Sequence, residues 1–279
     1  KTLFNVIVIF YVWISALGLA IHVQSVLLPS AITNYRPLFP SSSIKVFRSG
    51  SPDEHLPSLQ GYTIFDLRNA DEKDATVQSR DENEVVVRIL DRPLLFPERV
   101  WADVRDNEWT LLDRVGAEVT SIFSSEAYSR ALYDKLEDGG LSCLYRVILR
   151  TSLTEVSEVV EEIMTSVISD DEGPILINCA KGKDRTGIVC AFLHLLAGVD
   201  EATVVSEYAE SEKRLKEGGE ERKKKEETGL DWSKFRGSPA NAMRDTIDFI
   251  RENDIMRKCD FDTSKVEAFK SIITTTNNS

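Results

Sequence analysis

The sequence predicts an α/β domain, a sheet flanked by helices, preceded by a single transmembrane helix. Three observations carry this expectation. From Ile44 onward, short runs rich in valine and isoleucine alternate with longer stretches of helical period, the order expected of strands joined by helices. One of those runs, Pro174-Ile175-Leu176-Ile177, is nearly all apolar, as suits a central strand covered on both faces. Finally, no charged residue occurs over the 34 positions from Thr2 to Tyr35, although 29% of the 279 residues are charged.

The uncharged run comes first in the chain. Residues 3–21 contain only Asn5 and Ser15 as clearly polar side chains. Nineteen helical residues rise about 28 Å, close to the ~30 Å hydrocarbon core of a bilayer. The apolar residues cover every side of such a helix, which disfavours a one-sided surface helix. Tyr11 and Trp13 lie mid-run and not at the edges, where an aromatic belt would sit. A membrane anchor is the favoured reading, ahead of a targeting segment and a buried first helix. The expected division is 1–28 as anchor or targeting segment and 29–279 as the folded domain, with a membrane-associated, single-pass placement. Charges flank both ends of the run, so orientation stays open.

Pro29, Pro37 and Pro40 mark a turn-rich exit from this segment. Strands are expected at 44–48, 62–67, 84–90 and 174–177. Helices are expected at 97–112 and 126–136, the latter stopped by Gly139-Gly140. Others follow at 154–168, 186–196, 201–215, 240–251 and 263–273. In the helix at 154–168, apolar residues at 156, 159, 160, 163, 164, 167 and 168 form one stripe. Residues 212–227 hold seven basic and six acidic side chains, which reads as a solvated helix end.

Composition excludes several function classes. With 46 acidic against 34 basic residues the formal net charge is -12, which argues against broad nucleic-acid binding. Four scattered cysteines, with no C-x-x-C pair, make no disulfide framework. Three histidines make a histidine-rich metal site unexpected.

The chemistry is concentrated at Asn178-Cys179-Ala180-Lys181-Gly182-Lys183-Asp184-Arg185-Thr186-Gly187. A buried strand ends at a cysteine, a short polar loop follows, and an apolar helix begins. That arrangement aims successive backbone N–H groups and a helix N-terminus at one point, a nest suited to a phosphate dianion. The same nest activates a thiol as a nucleophile. Arg185 offers a fork to two phosphoryl oxygens. Thr186 can donate to the thiolate or cap the helix. Lys181 and Lys183 can draw an anion inward. A nucleotide-binding P-loop is disfavoured, because no hydroxyl follows Lys183 directly and the earlier glycines are missing. An acid is needed for a poor leaving group, and the residues alone leave Asp184, Asp66, Asp91 and Asp103 open for it.

The loop resembles the C-x5-R signature of cysteine-dependent phosphatases. More narrowly, it is similar to the atypical tyrosine and phosphoinositide phosphatases with a GKDRTG loop. Asn34-Tyr35-Arg36, Val46-Phe47-Arg48-Ser49-Gly50, and Ile64-Phe65-Asp66-Leu67-Arg68 with Glu72 resemble further motifs of that group in the same order, and Tyr208 resembles a recurring tyrosine. The resemblance covers about residues 29–215 and implies a tyrosine-phosphatase-like sheet flanked by helices. It implies that Cys179 attacks phosphorus and that Asp184 acts as acid and then base. Arg185 with the amides of residues 180–185, which include Ala180, Lys181, Gly182 and Lys183, would hold the phosphoryl group. It implies no cofactor and no metal. Asp66 and Arg68 are expected at the same mouth, organising the loop or touching substrate, with Arg36 and Arg48 as further candidates. Trp101-Ala102-Asp103 is only a faint match to the W-P-D string of other tyrosine phosphatases. Asn178 departs from the group, which has histidine before the cysteine, so a slower nucleophile is expected.

The expected function is a phosphomonoester hydrolase acting through a cysteinyl-phosphate on a phosphoprotein or a phosphoinositide. The expected partners are a phosphorylated protein or an anionic phospholipid head group, with the membrane reached through residues 3–21. The alternative, from another class, is a weak or inactive phosphate-binding scaffold or subunit of a membrane assembly.

Overall fold

The run 175–178, apolar up to Asn178, forms the centre of a sheet, with all four of its residues buried. In the computed structural model, residues 31–73, 88–121, 124–169, 173–217 and 230–275 are described. Among them, strands β1 (Arg36–Pro37), β2 (Val46–Ser49), β3 (Thr63–Asp66), β4 (Arg88–Asp91) and β5 (Ile175–Asn178) form one mixed sheet in the order β1-β2-β5-β3-β4. Only β1 runs antiparallel to its neighbour. In register, Ser49 and Asp66 both lie opposite Asn178. The carboxyl ends of three parallel strands therefore finish level with one another, which is where open α/β sheets bind their ligands.

Helices cover the sheet. They are α1 (Pro97–Asp103), α2 (Leu111–Ser121), α3 (Ser125–Thr151), α4 (Leu153–Ser169), α5 (Asp184–Leu196), α6 (Glu201–Glu217), α7 (Ala240–Glu252), α8 (Ile255–Lys258) and α9 (Thr263–Thr275). Helix α4 buries Val156, Val159, Val160, Ile163, Met164 and Val167, the stripe expected from sequence except for half-buried Ile168. Helix α5 is buried continuously from Arg185 to Leu193 and His194, so it is the core helix of the molecule. The larger core cluster draws residues from Leu38 to Ile273. A smaller one, Ile32, Leu56, Leu59, Ile64 and Leu176, lies apart from it.

One helical expectation changes and another is sharpened. The stretch 97–112 divides into α1, a π-turn at Val104–Glu108 and the start of α2. Gly139-Gly140 does interrupt the helix: Gly140 is non-helical, at φ 54°, ψ -146°, so α3 is two helical segments meeting at a kink, the second continuing to Thr151. Glycine accepts that left-handed φ without a Cβ clash.

The membrane-anchored architecture is also corrected. Among the described residues no helix is long and apolar enough to cross a membrane. The longest, α3, carries Glu126, Arg130, Asp134, Lys135 and Arg146 along its length, charges that a bilayer interior penalises. The expected span, residues 3–21, lies outside the described residues. What the structure supports is an α/β fold with a mixed sheet flanked by helices. The transmembrane helix, the single-pass placement and the membrane as partner are not carried further.

Candidate active site

Cys179 stands at the carboxyl end of β5, buried, and the next residues loop into α5. The loop turns at Gly182, where φ is +63°. A Cβ there would lie 2.2 Å from the backbone of Ser49, so the position requires glycine. The loop is seated against the end of β2, and its carbonyls are bound from behind. Ser51 N–H donates to Ala180 O at 3.2 Å. Asn34 Nδ2 donates to Lys181 O at 3.2 Å and to Gly182 O at 2.7 Å. Arg48 Nη2 also donates to Gly182 O, at 2.7 Å. In a trans peptide the C=O and the following N–H point opposite ways. Binding these three carbonyls on the outside therefore turns the N–H groups of Lys181, Gly182 and Lys183 to the inside.

The groups behind the loop are themselves fixed by charge. Glu207 on α6 accepts from Arg36 Nε at 2.8 Å and from Arg48 Nη1 at 2.5 Å. Arg36 also contacts the Asn34 side chain. Burial raises and the two arginines lower the Glu207 carboxyl, with a net shift downward. Burial and the neighbouring Arg48 pull Arg36 down to about 10. Arg36 and Arg48 thus sit beneath the loop as braces. Asn34 has φ 59°, which asparagine tolerates better than most residues.

Arg185, in the first turn of α5, is forked by Glu72. Its Nη1 and Nη2 meet the two carboxylate oxygens at 2.5 and 2.6 Å, and Nη1 also donates to Leu67 O at 3.1 Å. Burial works against the Arg185 charge, but Glu72 and the adjacent Cys179 outweigh it and hold the guanidinium above its ordinary range. Glu72 in turn accepts from Asn69 N at 2.9 Å. Its burial raises its carboxyl, the Arg185 bonds lower it more, and the net shift is downward.

Asp184 is half-buried beside Cys179's loop. Its Oδ1 accepts from the Tyr145 hydroxyl at 2.7 Å and lies 3.2 Å from Lys183 Nζ. Lys183 is buried and donates to Phe235 O at 2.8 Å and Gly237 O at 2.7 Å. It ties the loop to the C-terminal segment, whereas Ala180 and Lys181 are exposed. Thr186 is fully buried, and its hydroxyl has no partner among the described residues.

Asp66 and Arg68 are occupied with one another. Arg68 also grips Asp53, at 2.7 Å through each of two nitrogens, and Asn178 Nδ2 donates to Asp66 Oδ1 at 3.2 Å. The structure therefore brings Cys179, Asp184, Arg185 and Thr186 together and places Asp66 and Arg68 one layer behind, under Asn178. Of the other open acids, Asp103 pairs with Arg150 and Asp91 with Lys73.

Residues 43–272 match a family model described as "Tyrosine phosphatase family". The chain belongs to the tyrosine phosphatase family. Membership over most of the chain supports an enzymatic phosphatase function. A tyrosine-protein phosphatase of Nostoc commune is 39% identical over 49 residues, which cover 18% of this chain and 17% of that protein. The matched stretch is thus a small part of that relative's length.

Reading the sequence alone missed Tyr145 and Glu207. The signal for Tyr145 was available. Leu141, Leu144, Tyr145, Ile148 and Leu149 fall at i, i+3, i+4, i+7 and i+8, a helical stripe that begins directly after Gly139-Gly140. No local signal marks Glu207, whose partners are more than a hundred residues away in sequence.

Proposed function

We propose that this phosphatase hydrolyses phosphomonoesters through a cysteinyl-phosphate, with phosphotyrosine in proteins as the substrate. The observation that supports it is the loop held from behind, with Cys179 at one end and Arg185 fixed by Glu72 at the other. In this reading the inward amides and Arg185 receive the phosphoryl oxygens, a preorganised site for charge that builds up in the transition state. Cys179 sulfur attacks phosphorus as the bond to the leaving oxygen breaks, and Asp184 donates a proton to that oxygen. Water then attacks phosphorus, Asp184 takes its proton, and the S–P bond breaks to release inorganic phosphate. Asp66 and Arg68 act through Asn178 and do not touch substrate.

Substrate class follows from the two loop lysines. Lys183 is committed to Phe235 and Gly237, which leaves exposed Lys181 as the loop's ammonium for a second anion. One such cation favours a single phosphate over a multiply phosphorylated inositol.

Cys179→Ser is expected to lower para-nitrophenyl phosphate turnover roughly ten-thousandfold or more while phosphate still binds. A panel of phosphotyrosine peptides and soluble phosphoinositides checks the substrate. Preference for the phosphoinositides would overturn the phosphotyrosine assignment.

A second reading, a weak or inactive phosphate-binding scaffold, is favoured by Asn178, which supplies no positive charge next to Cys179. Its amide is held by Asp66, and its buried Oδ1 has no partner among the described residues. Phosphate binding without turnover, and without Cys179 alkylation near neutral pH, would select it.

A further inference from the structure

Tyr145 lies in the second half of α3, beyond the kink, and its hydroxyl donates to Asp184 Oδ1 at 2.7 Å. Its oxygen is also 2.7 Å from the hydroxyl of Tyr208 on α6. A phenol has one proton to donate. With the Tyr145 proton committed to the carboxylate, Tyr208 is the donor in the second contact. Donation therefore runs from Tyr208 to Tyr145 to Asp184 Oδ1. The two rings are buried and perpendicular, 6.0 Å apart, so packing fixes both hydroxyls. Gly187 is part of this packing, because a Cβ there would come within 3.1 Å of the Tyr208 ring. Lys183 Nζ approaches Oδ1 as well. Every contact described for this carboxylate thus falls on Oδ1 among the described residues. Burial, with the Asp184 charge next, pushes the Tyr145 phenol well above its ordinary range, so it remains a donor throughout the working pH range.

We propose that Tyr145, backed by Tyr208, is a positioning residue for proton transfer. It holds Asp184 by Oδ1 and leaves Oδ2 to carry the proton. This rests on the reading of Asp184 as the general acid. In the first half-reaction the S–P bond forms and the bond to the leaving oxygen breaks; that oxygen keeps the electron pair and takes the proton from Oδ2. In the second, water oxygen bonds to phosphorus, its proton goes to Oδ2, and the S–P electron pair returns to Cys179. Tyr145 and Tyr208 lose and gain no proton in either half.

The test compares wild type with Tyr145→Phe, Tyr208→Phe and Asp184→Asn on two aryl phosphates. One is 2,4-dinitrophenyl phosphate, whose leaving group needs no acid, and the other is phenyl phosphate, whose leaving group does. The readout is kcat/KM, which follows formation of the cysteinyl-phosphate. Tyr145→Phe is expected to lower it about ten- to a hundredfold for phenyl phosphate and little for the dinitrophenyl ester. Tyr208→Phe is expected to act in the same direction and less strongly. The rate of Cys179 alkylation by iodoacetate should be unchanged in both, which a damaged loop would not allow. Equal losses on the two substrates, or no loss, would overturn the positioning role even where Asp184→Asn shows the leaving-group dependence. If Asp184→Asn shows no such dependence, the acid assignment itself fails and the positioning role falls with it.

Discussion

At the Arg185 end of the Cys179 loop a charge is forked by a second charge, and at the Asp184 end a carboxylate is held through one oxygen, by a phenol pair and the Lys183 ammonium 3.2 Å away. Arg185 meets both oxygens of Glu72, while Asp184 meets the Tyr145–Tyr208 pair. The two residues are adjacent in sequence, yet their surroundings suit opposite tasks. A guanidinium that receives phosphoryl oxygens must stay charged and aligned, and a carboxylate partner secures both. An acid–base group must gain and lose a proton within each turnover, which a two-pronged ion pair on both oxygens would oppose, and the Lys183 contact falls on Oδ1 alone. A phenol orients the carboxylate without locking it in one state.

The comparison can be broken first at its charged end. Arg185→Lys keeps the charge and loses the fork, and kcat/KM should fall about a thousandfold; a loss below tenfold would show that the charge alone suffices. Glu72→Gln should cost less, about ten- to a hundredfold, and should do so equally for good and poor leaving groups. That evenness is the contrast with Tyr145→Phe, and a leaving-group dependence in Glu72→Gln would erase the distinction between the two ends.

Glu72 also carries a pH signature. Its carboxyl is depressed in the folded protein by Arg185, against the opposing effect of burial. A depressed carboxyl stabilises the fold above its unfolded pKa, about 4.3, and that stability is lost as pH falls through the lower folded value. Melting curves of wild type and Glu72→Gln should therefore lie apart near neutral pH and converge in acid. Parallel curves down to pH 2 would show that the pair adds nothing to the fold.

The smallest expected effect on chemistry, though not on stability, is at Lys183. Lys183→Met removes buried bonds to Phe235 O and Gly237 O and should cost about 2–3 kcal/mol of stability in denaturant titration. KM for a phosphotyrosine peptide should change less than threefold at a temperature where the variant is folded. A large rise in KM would return Lys183 to the substrate.

Much of the site was legible because it is contiguous. Cys179 to Gly187 is one stretch, and its strand-loop-helix setting follows from the apolar runs on either side. The strand at 63–66 and the helices α4 to α7 and α9 were legible for the same reason, since period and turn residues are local properties. The hydrophobic run at 3–21 shows the limit of that method. Hydropathy says that a segment can be buried in something apolar, without saying in what.

The sequence by itself determined which residues form the Cys179 loop and the strand that presents it, because burial period and glycine placement are written in neighbouring positions. Only the tertiary structure decided which partners each loop residue meets. Glu72 reaches Arg185 from 113 residues away and Tyr145 reaches Asp184 from 39. The strand order β1-β2-β5-β3-β4 brings the first of these together. Ion-pair and hydrogen-bond partners depend on how elements pack across the sheet, and no local pattern of charge or hydrophobicity records that.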